Sequence, residues 1–270
     1  MPCACAAREL RIGVFGLLHP ERLVIYSLPA QTAILTAGTH QIILSDCNRA
    51  FLSLEGDHMR VQSNDEDLAI PELHLADGRG RATDFLLSVP GKITRCLRGR
   101  LAVKCQINEL VAVVEMDLET AVASAVAAES VPGAALEALK AQAVATRSYY
   151  LASLSRHGQF DFCDTTHCQF LRDAPSPHSL AAQATAATHG LVLFYDGTPI
   201  PALFTGSCGG RTRSLAEIGL APAPYPYFSV PCICCLRHAP HWSSCLGAKE
   251  AAELASRSEG SRLRLGRILG

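Results

Sequence analysis

The sequence predicts an α+β protein with a β-rich first part followed by a helical hairpin, a zinc-type loop and a core that contains a β-hairpin. Three observations carry this. Short runs of Ile, Val and Leu, separated by turn residues, fill positions 10 to 116. At Asp117 the pattern changes to alanine-rich segments with apolar residues at three- and four-residue steps. His and Cys then cluster between His157 and Cys168. The change of pattern divides the chain into a β-rich region, 1–116, and a second region, 117–270. An apolar fraction of 49% against 18% charged residues suits a sizeable core and argues against disorder. The 24 basic and 25 acidic residues nearly cancel and are scattered, with no basic stripe, which excludes a nucleic-acid partner.

In order, LRIGVF, RLVIYSL, TAILTA, HQIILS, FLSLE and MRVQS read as strands. Residues 63 to 84 are polar with Gly and Pro, and read as a loop. KITRCLRGRLAVKCQINELVAVVEM supplies two or three more strands, with Arg98-Gly99 as a turn. His19, His40, His58 and His74 are isolated singletons and read as ordinary surface or core residues. Asp117 is a good N-cap for the helix LETAVASAVAAE. Pro132 in SVPG ends that helix, because proline cannot continue the hydrogen-bond ladder and disfavours a helical residue before it. A second helix follows from Ala135 to Leu154, and the two form a helical hairpin. After the loop from His157 to Cys168, SLAAQATAATH reads as a third helix closed by Gly190. Asp196-Gly197 between apolar runs is a type I′ hairpin signal. A proline- and aromatic-rich stretch follows from Pro222 to Pro231, then CICC, Trp242 and a weak helix from Ala248.

No segment approaches the roughly 18 apolar residues of a membrane helix. The first residues lack the basic and then apolar pattern of a signal peptide. This leaves two readings, a chain that stays inside or a true start other than the one given. SRSEGSRLRLGRILG ends abruptly, as a truncated chain would.

Two places could carry chemistry. Glu129 sits at a helix end among Ala and Val, where burial disfavours the ionised carboxylate and would fit it for general acid work. The plain alternative is a solvated helix-end glutamate, with Glu115, Glu119 and Glu137 as other carboxylates nearby. His157, Cys163, His167 and Cys168 offer two imidazoles and two thiols, a donor set that suits tetrahedral zinc, although the spacing is not that of a zinc finger. A disulfide, buried thiols or a Cys–His nucleophile pair are the alternatives there. Cys208, Cys232, Cys234, Cys235, His238 and Cys245 make a second soft-ligand group, read as a metal site, a disulfide or free thiols. Cys168 and Cys208 are the candidates if the chain were a cysteine hydrolase.

The stretches ALEALKAQAVATRSYYL (135 to 151), FCDTTHCQ (162 to 169), GLVLFYDGTPIPALFTGSCGGRT (190 to 212) and YPYFSVPC (225 to 232) stand in one order. Together they resemble the family of stage II sporulation protein D and the LytB amidase enhancer, over about residues 110 to 246. The resemblance implies action on peptidoglycan, as a lytic transglycosylase in cell-wall remodelling or sporulation that cuts denuded glycan strands between N-acetylmuramic acid and N-acetylglucosamine. The family's catalytic glutamate, in an E-x-P motif, matches Glu129, although Glu-Ser-Val-Pro here is one residue longer. Its zinc loop matches Cys163 and Cys168, with His157 and His167 as the nitrogen ligands, and implies a structural zinc. Ser207, Gly209, Gly210 and Thr212 resemble its glycan-cleft segment, and Gln142, Arg147 and Tyr149 are candidates either to line the same cleft or to serve helix packing. The implied partners are glycan strands and a cell-wall amidase. The implied location is the cell envelope, peripheral to the membrane at most. A member that only enhances an N-acetylmuramoyl-L-alanine amidase, binding peptidoglycan without chemistry, is the alternative function.

Overall fold

A computed structural model describes residues 8–63, 66–219 and 229–238. The chain divides into two compact units, Met1–Gly206 and Ser207–Gly270. This division does not follow the change of pattern at 117. The strand Glu109–Asp117 runs straight into the first α-helix, and a strand from beyond the first two α-helices returns to pair with the strand Glu9–Val14.

Eleven strands precede the helices: β1 (Glu9–Val14), β2 (Arg22–Ser27), β3 (Thr32–Ala37), β4 (His40–Ser45), β5 (Arg49–Glu55), β6 (His58–Ser63), β7 (Glu66–Ile70), β8 (Glu72–Ala76), β9 (Thr83–Val89), β10 (Ile93–Gln106) and β11 (Glu109–Asp117). The expected loop at 63 to 84 is therefore wrong. Its polar residues alternate with Leu73 and Leu75, which are buried, so the segment keeps the period of a half-buried strand despite its composition.

The expected turn at Arg98-Gly99 is also wrong. β10 is one 14-residue strand, and it serves two sheets. Ile93 to Gly99 pair with β9, while Arg100 to Gln106 pair with β11. From β9 one sheet continues through β2, β5, β6 and β7; on the other side β8 pairs with β10 and carries β3 and then β4. Gly99 marks the crossover. A Cβ there would lie 2.5 Å from the Glu115 carbonyl oxygen and 2.7 Å from Val114 Cγ1, so the two strands cross too closely for any side chain. Ile12, Leu23, Ile25, Leu35, Leu52 and Phe85 are among the fully buried residues between the sheets.

The helices are α1 (Leu118–Glu129) and α2 (Leu136–Ala152), then, after the two-residue strand β12 (Phe162–Cys163), α3 (Leu180–Ala187). The Asp117 carboxylate accepts the Thr120 N–H at 3.0 Å, the capping bond expected of it. The buried face of α1 is mostly Ala and Val, which lets α2 and α3 pack closely on it. Arg147 ties the three together. Its side chain is 0% exposed, and its guanidinium donates twice to Glu119, Nε to Oε1 at 2.8 Å and Nη2 to Oε2 at 2.6 Å. Nη1 also donates to the Leu191 carbonyl at 3.0 Å.

A short pair, β13 (Phe194–Tyr195) with β14 (Thr198–Pro199), closes the first unit. Asp196 and Gly197 both have positive φ, 47° and 75°, as a type I′ turn requires.

In the second unit an isolated bridge joins Arg211 to Pro231, ahead of the short helix α4 (Ile233–His238). The region from Pro222 to Phe228, Trp242, Cys245 and the weak helix from Ala248 lie outside the described residues.

Candidate functional site

The segment after α2 is bound to the edge of the sheet. β12 pairs with β1 in parallel, Ile12 with Phe162 and Gly13 with Cys163. Two aspartates flank it. The Asp161 carboxylate accepts the Arg11 N–H at 2.9 Å, and the Asp164 carboxylate accepts the Phe15 N–H at 3.2 Å. The backbone N–H groups of the same two residues donate to the carbonyls of Arg11 and Gly13. Every link puts the loop at a defined height on β1. Gly13 allows the approach, since a Cβ there would meet the Phe160 ring at 2.5 Å.

Held this way, His157, Cys163, His167 and Cys168 converge, with their ligand atoms all within 4.8 Å of one another. His157 Nε2 lies 3.2 Å from Cys168 Sγ, His167 Nδ1 lies 3.5 Å from Cys168 Sγ, and Cys163 Sγ lies 3.8 Å from His167 Nδ1. A tetrahedron with metal bonds of about 2.0–2.3 Å has edges of about 3.3–3.8 Å, so these separations fit a tetrahedral ion of zinc size. Burial pushes the Cys168 thiol up to about 11, and burial together with His167 and Arg156 holds His157 below the usual histidine range. A divalent cation would reverse the cost of the thiolate. His157 stacks on Phe160 with ring centroids 4.8 Å apart, and Thr165 Oγ1 lies 3.2 Å from Cys163 Sγ. These contacts orient the donors from behind.

Glu129 is the last residue of α1, and its carboxylate accepts the Phe170 N–H at 2.7 Å. Phe170 lies two residues beyond Cys168, so the loop that gathers the four donors also positions this carboxylate. Burial raises the Glu129 pKa above the glutamate range, with the Phe170 N–H pulling the other way. Glu129 lines a cleft of about 560 Å³ together with Tyr149, Cys168, Phe170 and the segment from Leu203 to Gly206. Glu129 is the sole carboxylate among the described residues that line it. The cleft also holds Arg156, whose guanidinium donates to the Tyr149 hydroxyl. A separate cavity of about 410 Å³, lined by Gly13, Glu109 and Phe160, also has His157 and His167 in its wall.

The other expected site residues divide. Tyr149 is at the cleft. Arg147 is not; its five donors are directed at Glu119 and backbone carbonyls, and it is fully buried. Gln142 is half-buried on α2 and does not line the cleft. Ser207, Gly209, Gly210 and Thr212 belong to the second unit. There the Thr212 hydroxyl accepts the Val230 N–H at 2.9 Å, and Gly209 and Gly210 take φ of 64° and 98°. Sequence reasoning missed Phe170, which contributes a backbone N–H and so has no side-chain signature, and Arg156. It also missed Asp161 and Asp164, although their symmetric placement around Phe162-Cys163 is a readable sign of a stitched strand.

A half-buried carboxylate held by a loop of four His and Cys donors beside a cleft, on an α+β frame, makes a candidate catalytic site. The comparison with known families is specific to this region. Residues 106–195 match the model of the SpoIID family, described as stage II sporulation protein. That match supports a role related to sporulation and the cell wall. The chain is also similar to an uncharacterized protein of Brachyspira hyodysenteriae, 30% identical over 121 residues. The similarity spans 44% of this chain and 33% of that protein. Among the described residues no helix is long and apolar enough to cross a membrane.

Proposed function

We propose that this protein is a lytic transglycosylase that cleaves peptidoglycan glycan strands between N-acetylmuramic acid and N-acetylglucosamine, leaving 1,6-anhydro ends, at the cell envelope. The supporting observation is that Glu129 is the one carboxylate among the described residues that line the cleft. A hydrolytic glycosidase needs two carboxyl groups, one to protonate the leaving oxygen and one to activate water or attack the sugar. A lytic transglycosylase needs one. Glu129, kept protonated to a higher pH by burial, donates its proton to the glycosidic oxygen as that bond breaks. The muramic acid C6 hydroxyl then bonds to the anomeric carbon, and the Glu129 carboxylate takes the hydroxyl proton. The acid is regenerated and no water is consumed.

The Phe170 N–H holds one oxygen of Glu129 and leaves the other for the substrate. Tyr149, braced by Arg156, forms part of the adjacent wall. His157, Cys163, His167 and Cys168 would hold a structural zinc, which would supply rigidity to the loop carrying Phe170 and no reaction chemistry, because all four positions are filled by protein.

The test is mass spectrometry of denuded glycan digested by the zinc-loaded chain. Oligosaccharides ending in 1,6-anhydro-N-acetylmuramic acid from the wild type, and none from a Glu129→Gln variant that still binds glycan, are the expected results. Binding without anhydro products, together with faster turnover by an added amidase, would establish a non-catalytic enhancer instead. Retained turnover in Glu129→Gln would remove Glu129 from the mechanism.

A further inference from the structure

The second unit carries its own cluster of donors, separate from the loop that holds Glu129. Cys208, Cys232 and Cys235 place their sulfurs within 4.8 Å of one another, each half-buried. Two come from one short segment. Cys232 precedes α4 and Cys235 lies in its first turn, where the Leu236 N–H donates to the Cys232 carbonyl at 3.0 Å. The three-residue step puts both thiols on one side of the turn. The third arrives from Ser207-Cys208-Gly209-Gly210, some two dozen residues earlier.

That arrival is built into the backbone. The Cys232 N–H donates to the Gly210 carbonyl at 2.8 Å, the Thr212 N–H donates to the Val230 carbonyl at 3.0 Å, and Arg211 bridges to Pro231. Gly210 has a φ of 98°, and a Cβ there would lie 2.5 Å from Leu236 Cδ2. Leu236 is flexible and exposed and can turn aside, so it is the left-handed φ that favours glycine at this turn.

The described residues of this unit bury little. Among its described residues Gly210 alone is buried, while Ile233 and Leu236 are 62% and 66% exposed. A segment without a described core that nonetheless fixes three thiols together is the situation in which small units rely on a disulfide or a metal. A disulfide uses two sulfurs and leaves the third with no partner. A soft divalent cation uses all three, and thiolate-rich sites favour zinc among the common ions.

We propose that Cys208, Cys232 and Cys235 form a second zinc site, three thiolates with the fourth tetrahedral position taken by water or one further donor. Its role is to staple the Cys208–Thr212 turn to the start of α4. The proposal stands whether or not the chain cuts glycan, since it rests on a different set of residues from the Glu129 cleft.

The test uses the full chain, reduced, stripped of metal and titrated with zinc chloride or cobalt(II) chloride. Two equivalents of zinc are expected in the wild type. Cys208→Ser and Cys232→Ser should each bind one, and Cys163→Ser should keep the equivalent that those two lose. Cobalt should give thiolate-to-metal absorption in Cys163→Ser that falls in Cys163→Ser/Cys208→Ser. A measurement on the wild type needs no variant to fold: alkylation mapped by mass spectrometry should show Cys208, Cys232 and Cys235 protected together by zinc and exposed together by chelator. Stoichiometry indifferent to Cys208→Ser, alkylation of the three thiols indifferent to zinc, or a disulfide-linked Cys208 peptide in protein purified without reductant would each overturn the proposal.

Discussion

Replacing Arg147 should unfold the helical layer before it touches glycan recognition. The guanidinium is fully buried, and both of its bonds to Glu119 are short and paired in the fork geometry of a carboxylate. Removing one partner of such a pair strands the other charge and costs about 3–5 kcal/mol. Glu119 is 23% exposed, so water recovers part of that for the carboxylate. The Leu191 carbonyl loses its donor as well, at a further cost of about 1 kcal/mol. Arg147→Ala is therefore expected to lose about 4 kcal/mol, a large share of a stability of about 5–15 kcal/mol. For a unit of this size that lowers Tm by about 8–16 °C. The assay is guanidinium unfolding followed by far-ultraviolet circular dichroism. Replacing both partners with apolar residues, Arg147→Met with Glu119→Leu, should recover most of the loss, because no charge is then left unpaired. A loss under about 1 kcal/mol for Arg147→Ala would refute the clamp. So would an Arg147→Lys variant with unchanged stability that no longer binds glycan, because Arg147 would then be a substrate ligand.

Four further predictions concern the site and the strand crossing. Burial raises the Glu129 pKa, so the native state holds that proton more tightly than the unfolded chain, and the carboxylate costs stability as pH rises from its unfolded value through its raised native one. Glu129→Gln should accordingly gain stability relative to wild type across that window, measured by unfolding at a series of pH values; a constant difference would show that burial does not shift the group. If Glu129 is the acid, wild-type kcat/KM falls through the same window with its midpoint above the usual glutamate range. Gly13→Ala should push the Phe160 ring away from β1 and disturb the His157 stacked on it, weakening zinc binding at the four-donor loop by about 10-fold in a competition titration. Gly99→Ala should cost about 2–3 kcal/mol, since the new methyl group meets the Glu115 carbonyl; an unchanged unfolding midpoint would mean the strands separate freely there.

What could be read from the sequence follows the range of the interactions. α1 was legible to the residue, because its start depends on Asp117 and its end on a nearby proline, both local. The resemblance to the SpoIID family was read from four ordered motifs, and the family match at 106–195 covers the first two and the start of the third. The joining of two sheets through one strand was not legible. Arg98-Gly99 has the composition of a turn, and only the distant Glu115 carbonyl explains the glycine. Arg147 stayed open between cleft lining and helix packing for a similar reason, since its partner Glu119 lies on another helix. The four donors were legible as a set, whereas the aspartate pair that fixes their height depends on the pairing of β12 with β1.

That pairing has a consequence for how the chain avoids its own kind. From Arg11 to Phe15, β1 offers its outer backbone groups along an edge whose inward side chains, Ile12 and Val14, are strongly β-forming. An open edge of this sort is a template for a strand from another molecule. The segment from Asp161 to Asp164 occupies it with its own strand and carboxylates, and the gathered His and Cys side chains keep that segment from peeling back. The loop that positions Glu129 is thus also a guard against sheet-to-sheet association, and chain whose loop has been released should be lost first to aggregates rather than to a soluble, inactive form.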